Sequence, residues 1–359
     1  MHFTLKNIRP LMQILKNKIS IKNELTSFTF FVTSICNLRC KYCLNFENLG
    51  SGKLDLSYDE IEKFSKFIPS SVKSIIFSGG EPLWRDDIVA ICKLFYEKNN
   101  IINLGFPTNA VHNTNTINKI KEIVKINPEI DVVACVALDV FEETHNKFRG
   151  KGTFQKTYQT LKDLVNLKKS GLNFEILVNS VIGKDSIPRL EEFVKFVKNI
   201  DVDLHSIEIV RDETIWRKEG KYSNLSKEDF NTVQKSRLLI DKLYRNKDLL
   251  LSIYKMRSKI ITKIQENVLT NNGKWPSSCS AGLQNFVLQS NGDITICENK
   301  NVIGNLRNYN YNVVEIIKKN GQKHIKEAQS HKCDCSNYMY LRQSIENSFI
   351  KSTINHILS

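Results

Sequence analysis

Three cysteines near the N-terminus are spaced closely enough to share one metal centre. Cys36, Cys40 and Cys43 form a Cys-x3-Cys-x2-Cys pattern directly after the apolar run 28–33, which predicts a β-strand. Thiolates bind zinc, but zinc would need a fourth Cys or His close by, and the sequence offers none. A [4Fe-4S] cluster on three thiolates keeps one iron open for a ligand that is not protein. The pattern therefore favours such a cluster, with a zinc knuckle as the alternative.

A glycine turn follows the next predicted strand, residues 72–77. Its sequence is Ser78-Gly79-Gly80-Glu81-Pro82. Glycines let a backbone turn tightly against a bound ligand. A carboxylate in such a turn can hold a cation such as an ammonium group. The turn therefore predicts a binding site for a ligand that carries an amino group.

In this order, and about one strand-helix unit apart, the two motifs resemble the signature of the radical S-adenosylmethionine (SAM) superfamily. The resemblance implies that SAM binds the open iron and is cleaved reductively to a 5'-deoxyadenosyl radical. It also implies a set of cofactor-binding residues in the cluster loop, the glycine turn and the later strand ends. These are Tyr42, Ser78, Gly79, Gly80, Glu81, Asn109, Asp139 and Arg149.

For two of these positions the resemblance implies a particular contact with SAM, and each also has an alternative role. Arg149 is expected to bind the SAM carboxylate through a forked ion pair, with a surface ion pair as the alternative. Asn109 is expected to reach SAM, with a turn-forming role as the alternative. The family usually has a serine two residues before Asp139, but this chain has Ala137 there, so that serine contact with SAM is lost.

A second group of cysteines lies near the C-terminus, around residues 286–297, which read as two strands joined by an Asn-Gly turn. Its members are Cys279, Cys297, Cys333 and Cys335. Four thiolates suffice for a whole cluster, or for the zinc of a zinc ribbon. The layout resembles the Twitch and SPASM extensions of radical SAM enzymes, nearest to the Twitch form with one auxiliary [4Fe-4S] cluster. Met339 occupies the place of a further expected cysteine, so a second auxiliary cluster is not expected.

Strands and helices alternate through the first two thirds of the chain, which requires a parallel sheet with helices outside it. Ser57 and Glu60 predict a capping box at the start of the first helix, Thr153 is expected to cap a later one, and another is expected over 186–199. With the resemblance, this predicts an α/β fold, a partial (β/α)6 TIM-like barrel with a small C-terminal α+β hairpin-containing cluster domain. We divide the chain into an N-terminal extension, a radical SAM core barrel, linking helices and the auxiliary cluster domain. The boundaries are 1–25, 26–224, 225–272 and 273–359.

The composition excludes several classes of protein. The chain has 359 residues, 41% of them hydrophobic, and no apolar run reaches the roughly 18 residues of a membrane span. Residues 1–25 lack a signal-peptide core, which predicts a cytoplasmic protein.

The cysteines and the charge indicate which ligands to expect. Nine cysteines, mostly in close groups, favour metal binding over disulfides, while Cys92 and Cys135 are expected in the core. The net charge of +14 invites a nucleic-acid role, but its lysines are spread over predicted helix faces, so nucleic acid is not an expected partner.

The predicted function is a radical SAM oxidoreductase, or a related radical-transforming enzyme, that abstracts hydrogen from a substrate at the barrel mouth. Candidate catalytic residues lie at the end of the sixth strand, at Glu208, Arg211 and Asp212, and Glu298 follows Cys297. The expected reaction is oxidation or epimerisation of a polar small molecule such as a sugar, aminocyclitol or nucleotide derivative. Expected partners are that substrate or a short peptide, and a reduced flavodoxin- or ferredoxin-type electron donor.

Two other functions stay open. One is a maturase that modifies a ribosomally synthesised peptide, because many enzymes with such extensions act on peptides. The other belongs to a different class, a non-catalytic metal- and RNA-binding protein. That class would need clustered arginines with interleaved aromatic residues, and the sequence has no such cluster.

Overall fold

The computed structural model describes residues 24–212, 223–244, 249–330 and 333–345, and no side chain from 249 to 253. The predicted N-terminal extension, 1–25, therefore lies almost wholly outside the described residues. None of the helices in the described ranges combines the length and the apolar character that a membrane crossing requires.

A single sheet of nine strands runs through the described residues, in the order β6-β5-β4-β3-β2-β1-β7-β8-β9. The strands are Ser27–Thr33 (β1), Ser74–Gly79 (β2), Asn103–Thr108 (β3), Asp131–Ala137 (β4), Glu175–Ile182 (β5), Leu204–Ile209 (β6), Asn285–Leu288 (β7), Asp293–Thr295 (β8) and Gly304–Asn305 (β9). Neighbours from β1 to β6 are all parallel and follow chain order. This unclosed parallel sheet confirms the predicted partial barrel.

Helices alternate with the barrel strands and continue beyond them. They are Tyr58–Ser65 (α1), Ile88–Asn99 (α2), Asn113–Val124 (α3), Glu142–Arg149 (α4), Thr153–Lys169 (α5), Leu190–Lys198 (α6), Lys227–Tyr244 (α7), Leu249–Asn271 (α8), Val313–Asn320 (α9) and Gln322–Gln329 (α10). In β4 the alternate residues Val132 and Val136 are buried in the core, whereas Cys135 between them is half-buried. In β3 to β6, which share this alternation, one row thus packs under the helices and the other lines the concave face of the sheet.

The first helix begins where the sequence predicts. Ser57 accepts a hydrogen bond from the amide of Glu60, and the Glu60 side chain accepts one from the amide of Ser57. This reciprocal capping box satisfies two backbone donors that the first turn of a helix leaves without partners. Two later starts differ from prediction: Thr153 is the first residue of α5 and does not cap it, and α6 begins only after a 3₁₀ turn that contains Pro188.

The predicted C-terminal hairpin is present as β7 and β8, with Gly292 in the left-handed conformation (φ +89°) in the turn. Sequence analysis did not foresee that β7 pairs in parallel with β1. The rings of Phe28 and Phe286 stack 5.0 Å apart across that pairing. The hairpin therefore extends the barrel sheet at its β1 edge, next to the cysteine loop that follows β1.

Candidate active site

The first cysteine group lies on a loop at the carboxyl end of β1. Cys36, Cys40 and Cys43 are all half-buried, and the amide of Cys43 donates to the carbonyl oxygen of Cys40 at 3.1 Å. Burial raises the pKa of Cys36 to about 12 and that of Cys43 to about 11. Because metal ligands must be deprotonated thiolates, a bound metal would have to offset this cost of burial. The donor set of three thiols on one loop fits a cluster with one open iron.

The glycine turn after β2 presses against this loop. The amide of Gly80 donates to the carbonyl of Thr33 at 2.7 Å, and the amide of Glu81 donates to the carbonyl of Ile35 at 2.9 Å. A Cβ atom on Gly80 would lie only 2.0 Å from the carbonyl oxygen of Ile35. Gly79 has a φ of +110°, which residues with side chains rarely adopt. Both glycines are therefore required for the turn to reach the cysteine loop.

The carboxylate of Glu81 has one oxygen without a partner. Its Oε2 accepts a hydrogen bond from the amide of Asn109 at 2.8 Å, whereas its Oε1 is buried and has no hydrogen-bond partner among the described residues. Burial raises the pKa of this carboxyl to about 7. A buried carboxylate oxygen needs a donor to offset its desolvation. The site thus fits a ligand with an ammonium group, as the SAM expectation requires.

Asp139, just beyond β4, connects the cysteine loop to α4 and β5. Its carboxylate accepts hydrogen bonds from Arg149 Nε at 2.6 Å and Nη2 at 3.2 Å, from the Val181 amide at 2.9 Å and from the Tyr42 hydroxyl. Its own amide donates to Nδ1 of His145 at 3.1 Å. Burial lowers the pKa of His145 to about 4, which keeps the ring neutral and able to accept. One carboxylate therefore orients the tyrosine that lies between the second and third cysteines.

Within the protein, Arg149 meets the carboxylate of Asp139. Arg149 forms a buried ion pair with Asp139, with its side chain 10% exposed and that of Asp139 1%. A guanidinium has five N–H donors, so two bonds to Asp139 leave donors for a second anion. Asn109 shows its alternative role, since its side-chain oxygen accepts from the amide of Val111 in a turn. The roles of Arg149 and Asn109 towards SAM stay predictions.

The second cysteine group also comes together. The Sγ atoms of Cys333 and Cys335 lie 3.6 Å apart, and the thiol of Cys279 hydrogen bonds to Cys333. Cys297 is close enough to Cys279 and Cys333 for their charges to interact. Trp275 positions the Cys333–Cys335 segment, because its indole N–H donates to the carbonyl of Cys335 at 2.7 Å. In the described part of the chain, no three Cys, His, Asp or Glu side chains are arranged to hold a single metal ion. A cluster differs in that its thiolates bind separate irons.

Three of the four candidate catalytic residues meet where the end of β6 approaches the residues that follow β8. Arg211 Nη1 lies 3.7 Å from Glu298 Oε2, and Glu298 accepts a hydrogen bond from Asn337 at 3.1 Å. Glu208 lies on the concave row of β6, and burial raises its pKa while the charges of Arg211 and Arg237 oppose that rise. Asp212 instead accepts a hydrogen bond from the amide of Ser223 at 2.7 Å.

Arg237 also lies at this site, although it was not among the site residues predicted from the sequence. It is 3% exposed and donates to Thr262, to Gln265 and to the carbonyl of Ile207 in β6. The sequence contained a sign of this role. One face of α7 is apolar at helical spacing, and Arg237 interrupts it between Phe230, Val233 and Ile240.

Cys92 is buried as predicted, but Cys135 is only half-buried and belongs to the concave face, not to the core.

Comparison with known proteins agrees with this geometry. Residues 30–208, about half of the chain, match the model of the family described as "Radical SAM superfamily". This chain belongs to the radical SAM superfamily. Radical SAM enzymes use a [4Fe-4S] cluster and SAM, so the expected cofactors are confirmed at the level of the family. Membership also favours an enzyme over the non-catalytic metal- and RNA-binding alternative.

Among relatives by sequence, this radical SAM protein is 31% identical over 203 residues to a GTP 3',8-cyclase of Listeria welshimeri. The match covers 55% of this chain and 57% of that protein, so the chain spans little more than half the length of its relative. A Dictyostelium discoideum relative, molybdenum cofactor biosynthesis protein 1, is 28% identical over 192 residues, 52% of this chain and 29% of that one.

Among solved structures, two share a fold with this protein over most of the chain. Native anSMEcpe with bound AdoMet and the Cp18Cys peptide has a TM-score of 0.60 and 17% identity, and covers 93% of this chain and 99% of its own. Streptococcus suis SuiB bound to its precursor peptide SuiA has a TM-score of 0.57 and 16% identity, and covers 94% of this chain and 74% of its own. At such identities the likeness shows the fold alone.

Proposed function

We propose that this protein is a radical SAM oxidoreductase that acts on a polar small molecule bound between the concave face of the sheet and the C-terminal hairpin. When bound, the cluster and SAM supply a 5'-deoxyadenosyl radical that removes a hydrogen atom from an unactivated carbon. The protein's part is to hold the cofactor and substrate in a fixed relation and to keep water out.

The residues that would hold the cofactors follow from the contacts at the carboxyl ends of β1, β2 and β4. The three cysteines of the β1 loop would hold the cluster, and the partnerless Oε1 of Glu81 would accept the SAM ammonium. Gly79 and Gly80 would let the backbone of the turn come close to SAM. Arg149, positioned by Asp139, would offer its remaining N–H donors to the SAM carboxylate. We also propose that the four C-terminal cysteines hold an auxiliary [4Fe-4S] cluster.

One observation carries the oxidative reaction: Glu298, the residue after the auxiliary Cys297, lies 3.7 Å from Arg211 at the end of β6. The second cysteine group is therefore next to the barrel mouth and not on a remote surface. Oxidation of an alcohol to a carbonyl releases a hydrogen atom, a proton and one electron, and the proposed auxiliary cluster would accept that electron. A carboxylate oxygen of Glu208 can accept that proton, since burial raises the pKa of this carboxyl above its ordinary value and so makes the carboxylate a stronger base.

Charged residues of both signs favour a polar substrate. Glu208, Arg211 and Glu298 approach one another near Arg237, and an apolar ligand would displace water from these charged groups and offer them no hydrogen bond in return. The sequence relative named GTP 3',8-cyclase supports a nucleotide-like member of this class. The maturase alternative also has support, because two structural neighbours contain a bound peptide.

Anaerobic reconstitution tests the proposal. Wild-type protein should bind about eight iron atoms, four per cluster, and should form 5'-deoxyadenosine with dithionite. The Cys36→Ala/Cys40→Ala/Cys43→Ala variant should bind about half the iron and form none. Cys135→Ala, which removes a cysteine outside both groups, should bind the wild-type amount. Formation of 5'-deoxyadenosine by the triple variant would disprove the assigned radical site.

Substrate class needs a separate experiment. Purified protein can be incubated with deuterated cell extract fractions, one of small molecules and one of peptides, and the 5'-deoxyadenosine analysed by mass spectrometry for deuterium. Deuterium from the small-molecule fraction supports the proposal. Deuterium from the peptide fraction alone would replace it with the maturase alternative.

A further inference from the structure

A cavity of about 320 Å³ lies at the carboxyl ends of the paired strands β1 and β7. Its walls include residues 48–55, which follow the cysteine loop, and the turn of the β7–β8 hairpin. Among the described residues that line it, none is a predicted cofactor-binding or catalytic residue. A volume of this size suits a small-molecule ligand. We call this space the β1–β7 cavity, and the proposed function makes no use of it.

Hydrogen bonds fix the walls of the β1–β7 cavity to each other. The amide of Gly50 donates to the carbonyl of Ser34 at 2.9 Å, and the amide of Gly52 donates to Ser34 Oγ at 3.1 Å. The amide of Leu56 donates to the carbonyl of Ser290 at 2.7 Å, which joins this loop to the hairpin turn. The cavity is therefore formed before any ligand binds.

Two carboxylates in the walls have only neutral hydrogen-bond partners. Asp55 accepts from a hydroxyl and a backbone amide at the end of β1, at 2.8 and 2.9 Å. Asp293 accepts from the side-chain amides of two asparagines, both at 2.8 Å. Neither forms a salt bridge with a residue that the structure describes. The charge of Arg307 reaches Asp293, but that guanidinium is paired with an acid of α1, and Lys53 in the same wall is exposed to solvent.

Gln289 adds a buried donor to this wall. It is 6% exposed, and its Nε2 has no hydrogen-bond partner among the described residues. Its backbone amide donates to the carbonyl of Asp293 at 2.8 Å, so the two residues lie opposite each other and their side chains share one face of the hairpin. A buried donor without an acceptor costs free energy, which a ligand with an acceptor would recover.

The remaining features favour an organic cation as the ligand. No group of three Cys, His, Asp or Glu side chains within the described ranges is placed to hold one metal ion, whereas calcium takes six or more oxygen ligands. Leu54 and Val302 line the cavity and are 71% and 47% exposed, so a ligand with a carbon surface could cover them. The cavity thus suits a molecule that combines an ammonium group, a hydrogen-bond acceptor and an apolar face.

We propose that the β1–β7 cavity binds an amino sugar, a ring of hydroxyl groups with a primary ammonium. The ammonium pairs with the carboxylates of Asp55 and Asp293. A ring hydroxyl accepts the hydrogen bond of Gln289 Nε2, and the C–H face of the ring packs on Leu54 and Val302. The inference goes beyond the proposed function and needs no radical chemistry, so a failure to cleave SAM would leave it standing.

Ligand-detected NMR titration of the full chain tests the site. The probe is glucosamine, and the matched ligand is glucose, which lacks the ammonium. Gln289→Met removes the buried donor at similar volume, and Gln322→Met makes the same change at an exposed position of α10. Asp55→Asn/Asp293→Asn removes both charges. Its control, Asp131→Asn/Asp185→Asn, changes two exposed acids outside the cavity.

We expect wild type to bind glucosamine about tenfold more tightly than glucose, since a charged hydrogen bond is lost with the ammonium. Gln289→Met should weaken glucosamine binding about fivefold without lowering the unfolding temperature, because the donor it removes has no partner in the free protein. The double aspartate variant should bind about tenfold more weakly. Both controls should bind as wild type does.

Four outcomes would overturn the proposal. Glucosamine may fail to bind wild type or bind no better than glucose, and Gln289→Met may bind it as tightly as wild type does. Tighter binding of calcium at this cavity would make it a metal site. Tighter binding of the peptide Gly-Lys-Gly would make it a peptide site.

Discussion

Arg149 and Asp139 form a two-bond ion pair that is almost fully buried, 2.6 Å from Nε to Oδ2 and 3.2 Å from Nη2 to Oδ1. The pair joins the last residue of α4 to the carboxyl end of β4. Through Tyr42, the same carboxylate also contacts the cysteine loop. The loop is thereby fixed by a charge that lies 97 residues further along the chain than Tyr42.

Removal of this charge should destabilise the protein strongly. Asp139→Asn leaves Arg149 buried without a counter-charge, and a broken buried pair costs about 3–5 kcal/mol. The matched control is Asp185→Asn, which breaks the exposed pair with Lys147 and should cost about 0–1 kcal/mol. Chemical unfolding under anaerobic conditions measures both. Equal losses in the two variants would show that the Asp139 pair is not a structural support of the loop.

SAM affinity should depend on pH through Glu81. Its pKa is raised to about 7, so below that pH the carboxyl is protonated and cannot pair with an ammonium. We expect the affinity to rise from pH 6 to pH 8 in a titration followed by the spectrum of the cluster. Glu81→Gln should remove that rise and weaken binding at pH 8 by roughly 1.5–3 kcal/mol, about tenfold to a hundredfold. Glu47→Gln, at an exposed acid, is the control and should leave the pH profile unchanged.

The same raised pKa predicts a stability effect without SAM. Because the folded-state pKa of Glu81 lies above its ordinary 4.5, the folded state holds its proton more tightly than the unfolded state does. Stability should therefore fall as pH rises from about 4.5 to about 7. In Glu81→Gln this part of the fall should be absent. A wild-type profile that is no steeper than that of the variant would contradict the burial of this carboxyl.

The C-terminal cysteines should separate radical formation from turnover. Cys333→Ala/Cys335→Ala should remove about four irons and leave SAM cleavage with dithionite largely intact, because the three cysteines of the β1 loop are unchanged. Turnover of the substrate, once identified, should be abolished. Zinc in anaerobically purified protein, with turnover that survives its chelation, would instead make this part of the chain a structural ribbon.

Arg307 and Glu60 should couple the hairpin region to α1. Arg307 donates to both carboxylate oxygens of Glu60, at 2.6 and 3.0 Å, and this lowers the pKa of Glu60 to about 2. A double-mutant cycle of Glu60→Gln and Arg307→Gln should give a coupling of roughly 1 kcal/mol at pH 7. Because the folded pKa is lowered, the coupling should be complete above about pH 4.5 and lost as pH falls towards 2. A coupling that does not change with pH would exclude an ion pair.

Local features could be predicted from the sequence. The capping box of Ser57 and Glu60, the β7–β8 hairpin at Asn291-Gly292 and the six parallel strands are all confirmed. Each depends on residues within a few positions of one another, through hydrogen bonds of a helix turn, the backbone of a tight turn or the burial of alternate residues. The cysteine and glycine motifs also identified the family, because both ligand sets lie within short segments.

Only the tertiary structure decided which distant groups meet. Parallel pairing of β7 with β1 brings the hairpin beside the barrel, and Arg237 enters the site from α7. Arg307 reaches Glu60 across 247 residues, a contact that no spacing in the chain encodes. The sequence left the carboxylate partner of Arg149 within the protein open, and its buried pairing with Asp139 follows from where the ends of α4 and β4 lie. The sequence by itself thus determined the local elements and the metal-binding motifs, whereas long-range packing determined their charge partners, because a charge pairs with whatever the fold places beside it.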